Sequence, residues 1–572
     1  MDTKRLLLAV ALSIGVLILW ANLFAPPPQA PVPTEPASLE QSGGTPEQAP
    51  EQPPEPDANI EPDEPPLAAA GEETLRVNNG LFVVELTNRG GRARSWRLLE
   101  YTTGDGEPLE LMPQFEESDL LPLGVDLDDS DLTAELNQAL FEVSRERLDA
   151  GQEGATGEKI TFRWSDGRGL QATKEFSFWK NEYLVDVFVN VVDRGRRRDA
   201  RLVVGPGFGA QELGDGRSNY YYAGQAAWNL GGTVSRTKRG KLDNEGGLTG
   251  SLRWGGLEDQ YFTALVLPGE GGAALRWSTR ELTPLPIAGA DPSEPPEPIA
   301  ETLIAVSLGE QGGRLYVGPK RYKLLRELGT ELDKSVWFSS VTWLAWIVRH
   351  IYLALLWIHD HVVANYGVAI VLATMVLRIL LFPVNQYSMV SMKKTQLQMQ
   401  RLQPKLKSIK NKYKKSKDAQ ARTKMNQETM ELYKREGVNP AGGLSGCLPL
   451  LAQFPILIGF YNMLTVAVEL RGAPFFGWIQ DLSLQDPLYI TPLLMGATMF
   501  TQQKMAMSKI KDPQQLQQQR FMLFMPFMFT IICVNMPSGL VLYWFVNNLL
   551  GMGQQWLVNR QTGRLESAAQ KA

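Results

Sequence analysis

The chain is 572 residues long, with 57 lysines and arginines against 62 acids, for a formal net charge of −5. That length is too great for one ordinary core, so several domains are expected. Its two cysteines, Cys447 and Cys533, lie in or beside apolar runs and predict no disulfide, and its three histidines, His350, His359 and His361, argue against a metalloenzyme.

At the N-terminus, Lys4 and Arg5 precede an uncharged run from Leu6 to Phe24. Nineteen residues at about 1.5 Å each cover about 28 Å, close to the hydrocarbon thickness of a bilayer. A cleaved signal peptide is the alternative, but Leu23 before Ala25 puts the wrong residue at a cleavage position. Residues 1–25 are therefore read as an uncleaved signal-anchor. Residues 26–72 form a linker, with 14 prolines between 26 and 66 and no core-forming pattern.

Short alternating runs then predict a domain over 73–332. Leu81–Leu86, Lys159–Trp164, Lys174–Phe178 and Tyr183–Val192 read as strands, with turns such as Asn88-Arg-Gly-Gly91 between them. Without helix–strand alternation, a large antiparallel β-sandwich is the natural reading. Residues 321–332 look helical and close the domain. The stretch 333–362 is apolar and rich in tryptophan, with Trp337, Trp343, Trp346 and Trp357. It either spans a membrane or lies in the headgroup layer.

Further apolar runs cover Tyr366–Gln386, Pro449–Val468, Pro487–Gln502 and Phe521–Val558, and Asn535-Met-Pro-Ser-Gly539 divides the last in two. Charge orients them. Residues 393–436 carry 14 Lys/Arg against four acids, which marks a cytoplasmic loop. That loop stays inside only if 333–362 lies along the interface. The prediction is a polytopic α-helical membrane protein with six transmembrane helices, both termini cytoplasmic, and the β-sandwich on the periplasmic side. Five of the spans fall within 363–560, and 561–572 is a short cytoplasmic tail.

Leu402, Leu406, Ile409 and Tyr413, and then Met425, Thr429 and Leu432, recur at helical spacing, which predicts a helical hairpin over 387–438. Lys405, Lys407, Lys410, Lys412, Lys414 and Lys415 crowd its first arm. They mark either a solvated, topology-fixing loop or a contact with anionic headgroups or ribosomal RNA.

Arg378 lies near the middle of the second span. A central arginine costs ~2.5–3.5 kcal/mol even on the lenient insertion scale. The acids nearby in sequence fall in loops, so the charge must reach water. It either snorkels to the cytoplasmic surface or meets a water-filled cavity. Thr374, one turn earlier, favours the cavity, as do Gln453, Asn462, Asn547, Asn548, Gln554 and Gln555 in neighbouring spans, although helix–helix hydrogen bonds account for some of these groups.

The run Thr374-Met-Val-Leu-Arg378 through Phe382-Pro383 resembles the arginine-bearing span of the YidC/Oxa/Alb family of membrane protein insertases. So do Leu432–Gly443, Cys447–Ile456, Glu469–Phe475, Asp481–Pro487 and Pro537–Tyr543, together with Thr87–Gly91, Asp259-Gln-Tyr-Phe262 and Tyr316–Pro319. A large periplasmic domain is similar to the family's Gram-negative form. The resemblance implies a conserved five-helix core with a hydrophilic groove open to cytoplasm and lipid. It implies client contacts at Arg378, Thr374, Gln453, Tyr543, Trp544, Asn547 and Asn548. The partners it implies are nascent inner-membrane proteins, the Sec translocon with its accessory subunits, the phospholipid bilayer and, weakly or transiently, the ribosome. Trp544 departs from a Tyr pair in better-known relatives, and the short tail weakens the ribosome expectation. No cofactor is expected, since no phosphate-binding glycine loop followed by lysine occurs.

Two other classes compete. A sugar-processing or carbohydrate-binding β-domain would want a histidine–carboxylate pair for proton transfer, and 75–330 contains no histidine. A solute transporter would favour inverted repeats, which the five spans do not display.

Overall fold

A computed structural model of the chain describes residues 65–103, 106–116, 120–149, 156–210, 224–238, 241–270, 274–285, 297–339, 341–413, 419–436, 458–507 and 513–571. The predicted anchor, most of the linker, the stretch 437–457 with Gln453 and Cys447, and Lys414 and Lys415 lie outside these residues.

The predicted sandwich is present. Among the described residues, strands run from Thr74–Asn78 to Gly313–Pro319 in sheets of four, ten and five, all paired antiparallel. Register shows how they stack. Gly255, Val266, Leu315, Val185 and Phe178 are successive cross-strand partners in the large sheet, so all five project to one face. At one end of this row, Phe178 packs its ring against Phe82 and Trp96 of the four-stranded sheet. At the other end, a Cβ on Gly255 would meet Leu275 and Val306 of the five-stranded sheet. The two small sheets therefore lie side by side over one face of the large one.

The opposite face carries Trp254, Glu258 and Tyr316, and the chain after the last strand covers it. Trp254 Nε1 donates to the Glu331 carbonyl at 3.2 Å, and Arg236 Nη2 donates to the carbonyls of Lys334 and Ser335 at 2.9 Å each. Glu258 is fully buried between Arg236 at 2.7 Å and Lys320 at 3.2 Å. Burial acts to raise its carboxyl, but the two cations outweigh that and hold it below the usual range.

The Asn88-Arg-Gly-Gly91 turn needs its glycines, because Gly90 (φ +70°) and Gly91 (φ +55°) take left-handed conformations. Lys174 anchors it from beneath, its buried ammonium donating to the carbonyls of Gly90 and Gly91 at 2.8 Å and of Leu123 at 2.5 Å.

The helices among the described residues are α1 (Ser130–Gln138), α2 (Tyr322–Glu327), α3 (Thr342–His361), α4 (Tyr366–Tyr413), α5 (Ala419–Arg435), α6 (Ile490–Ala506), α7 (Pro513–Cys533) and α8 (Ser538–Lys571). A further helical segment covers 458–466. Two elements differ from expectation. The predicted 321–332 helix stops at Glu327, because Gly329, Thr330 and Glu331 all adopt positive φ. The hairpin's first arm is no separate helix: α4 runs unbroken from the apolar span into it, through Pro383 and Pro404.

Within α4, Tyr366–Ser391 is long and apolar enough to cross a membrane, with mean hydropathy 2.3 over its apolar window. The break at 534–537 separates α7 from α8. Helix α3 is two-faced: Leu344, Val348, Tyr352 and Leu355 are buried, while Trp343, Trp346 and Trp357 are 56–57% exposed on the other side.

Candidate functional site

Arg378 sits twelve residues from Tyr366 and thirteen from Ser391, near the middle of the apolar segment. Its side chain is half-buried between helices. Nη2 donates to the backbone carbonyl of Asn547 on α8 at 2.9 Å, whereas Nε is buried without a partner. A helix carbonyl, rather than a carboxylate or the cytoplasmic surface, thus takes part of the charge, an option the sequence reading did not include. A carbonyl is acceptor enough for one guanidinium donor because its second lone pair is unused by the helix ladder.

The predicted site residues divide. Tyr543 is fully buried, stacks on Phe460 with ring centres 4.1 Å apart, and lies within electrostatic reach of Arg378. Asn547 supplies the carbonyl. Thr374 is on the same helix one turn earlier, but its hydroxyl donates at 2.6 Å to its own helix at Ile370. Trp544 turns away to meet Phe529 edge-on. Asn548 is within 3.4 Å of the Met495 carbonyl on α6, and Gln554 donates to the Phe382 carbonyl on α4 at 3.3 Å. These two act as interhelical ties. Asn462 donates to the Phe338 carbonyl ahead of α3, outside the cluster. Gln453 is not among the described residues. The local set is thus Arg378, Tyr543 and Asn547, joined by two residues the sequence reading missed, Gln502 and Gly551. Glycine within the polar run of the last span was the available signal for Gly551.

The basic hairpin pairs internally. Lys405 meets Glu436, and Lys412 meets Glu428, each at 2.6 Å, with Tyr413 donating to the same Glu428. The two pairs run antiparallel, as in a closed hairpin. Lys407 and Lys410 are exposed.

The β-domain is joined to the bundle through Asp259-Gln-Tyr-Phe262. The Asp259 carboxylate accepts from the backbone N–H of Ala210, Tyr261 and Phe262 and so shapes the loop. Gln260 then donates to the Thr465 carbonyl at 2.5 Å, and the Arg471 guanidinium lies over the Phe262 ring at 5.4 Å. Beside this joint, Tyr352 of α3 donates to Glu469 at 2.6 Å. Burial pushes the Glu469 carboxyl up, against the opposing pull of the Tyr352 hydroxyl, Arg321 and Lys323.

An antiparallel sandwich seated on an apolar helix bundle with a guanidinium inside it defines an integral membrane protein with a large extramembrane domain. Comparison with known proteins agrees. Residues 357–565 match the family described as 60Kd inner membrane protein, and 74–354 match the YidC periplasmic domain. A membrane protein insertase YidC from Syntrophus aciditrophicus (strain SB) is 31% identical over 98% of this chain and 99% of its own. Those from Maridesulfovibrio salexigens and Oleidesulfovibrio alaskensis are 33% identical over 98% of this chain and 99% and 100% of theirs. The chain belongs to the YidC family of membrane protein insertases.

Proposed function

We propose that the chain inserts nascent inner-membrane proteins into the bilayer, alone or with the Sec translocon and its accessory subunits, by attracting acidic hydrophilic stretches of a client to Arg378. The observation that carries this reading is the half-buried guanidinium at mid-span, whose Nε has no partner. Such a group lowers the cost of bringing a carboxylate between the helices, because each charge satisfies the other. In this reading the client meets Arg378, Tyr543 and Asn547, with Thr374 and Asn548 beside them on the same helices. The client's apolar segment leaves along the lipid-facing side, where Val376, Ile379, Leu380 and Val384 of α4 are exposed. Six spans with both ends cytoplasmic place the β-domain outside and the hairpin inside, where its lysines meet headgroups and, transiently, ribosomes. The β-domain docks and spaces; no catalytic residue and no cofactor are required.

The test is insertion of matched clients, with acidic or neutral translocated loops, by variants at equal expression. Arg378→Ala lowers insertion most for the acidic client. Arg378→Lys retains substantial activity because the cation remains, and Arg378→Glu is worst. Equal insertion of both clients by all three variants overturns the electrostatic reading.

A further inference from the structure

Gly551 lies on α8 one turn beyond Asn547, whose carbonyl accepts from Arg378. In a helix each side chain leans toward the N-terminus and covers the turn before its own Cα. A side chain at 551 therefore lies over the Asn547 carbonyl and shields it from a second donor, and glycine leaves it open. The vacated space is occupied. A Cβ at 551 would stand 3.0 Å from Arg378 Nη2 and closer still to Gln502 Nε2, so α4 and α6 both reach α8 where it lacks a side chain. Glycine inside a helix is destabilising relative to alanine, which crowding explains at 551. It does not explain Gly553, two residues on, where a Cβ would meet nothing within 4 Å.

We propose that Gly551 is a positioning residue for Arg378: its missing side chain uncovers the Asn547 carbonyl, which holds the guanidinium across the bundle interior against α8. This inference rests on the reading of Arg378 as the charge that attracts clients. With alanine at 551 the guanidinium loses its acceptor and swings out of register, although the charge itself remains in the chain.

Two measurements on the full-length protein test it. In reconstituted insertion, Gly551→Ala reduces the acidic client by at least half of the Arg378→Ala loss and spares the neutral client, and Gly553→Ala changes neither. The double variant R378A/G551A inserts no worse than R378A. R378K/G551A equals R378K, since the shorter lysine ends before the position of Nη2 and makes no bond to the Asn547 carbonyl that alanine could break. In thermal unfolding of the same proteins, Gly551→Ala lowers the midpoint when Arg378 is in place and does not lower it in the R378A background. An equal loss on both clients, a defect that adds to that of R378A, or one abolished by Gln502→Ala overturns the proposal. Absence of coupling in the unfolding cycle overturns it as well. If the unfolding cycle couples the two positions but R378A inserts both clients normally, the positioning stands and the client-attraction reading fails.

Discussion

At the residue scale, Glu469 shows how the joint between β-domain and bundle answers to pH. Its carboxyl is buried and shifted upward from the ordinary 4.5, so the folded protein holds that proton to higher pH than the unfolded chain does. Between the two values the folded state binds more protons, and stability therefore falls as pH rises through that window and levels off above it. Glu469→Gln keeps the oxygen that accepts from Tyr352 and removes the titration. Wild type and variant should unfold at similar temperatures at about pH 4, and the variant several degrees higher at about pH 8. A variant less stable at both values would show that the carboxylate is held ionised. Arg378 was legible in the sequence as a costly charge, but its acceptor was not. A backbone carbonyl has no residue type to betray it, and whether it is open depends on position 551, on another helix.

At the element scale, close helix approach depends on small residues in a membrane. A Cβ on Gly496 of α6 would overlap Thr530 Oγ1 of α7 and stand 3.2 Å from its Cβ. Gly496→Ala should cost about 1–3 kcal/mol by overpacking, and Thr530→Ala in the same chain should recover most of it. Thermal unfolding of the two variants checks this; no loss on Gly496→Ala would mean the helices are free to separate. Strands follow a parallel logic. Leu170–Trp179 alternates buried and half-buried residues along its whole length, and its period was readable in advance. Leu252–Glu258 and Phe262–Pro268 are buried on nearly every residue because small sheets cover one side and the chain after Pro319 the other. A strand enclosed on both faces loses the alternation that identifies it.

At the scale of the whole molecule, the docking loop 259–262 makes the β-domain a support for the end of the bundle at Thr465 and Arg471. Deleting most of 75–310 while keeping α3 should leave insertion largely intact. It should also lower the thermal midpoint, because Thr465 loses its Gln260 partner and Arg471 its Phe262 ring. Loss of insertion by a truncated protein still stable in the membrane would relocate the function to the domain. Topology has its own check: in intact cells a cysteine near Lys410 should resist an impermeant thiol reagent, and one near Gly167 should react. Labelling at Lys410 from outside would defeat the six-span arrangement.

The unbroken course of α4 has a mechanical side. Pro383 and Pro404 each remove one backbone donor, and of the two Pro383 lies nearer Arg378, so a bend there is the one that couples the hairpin to the guanidinium. From there Tyr413 is thirty residues away and Arg378 five, or about 45 Å and about 7.5 Å along the axis. A bend at Pro383 makes the helix a lever with arms in a ratio of about six to one. In a helix bending at Pro383, a push of about 6 Å on the hairpin tip becomes about 1 Å at Arg378, a coarse displacement at one end turned into a fine adjustment of the charge between the helices.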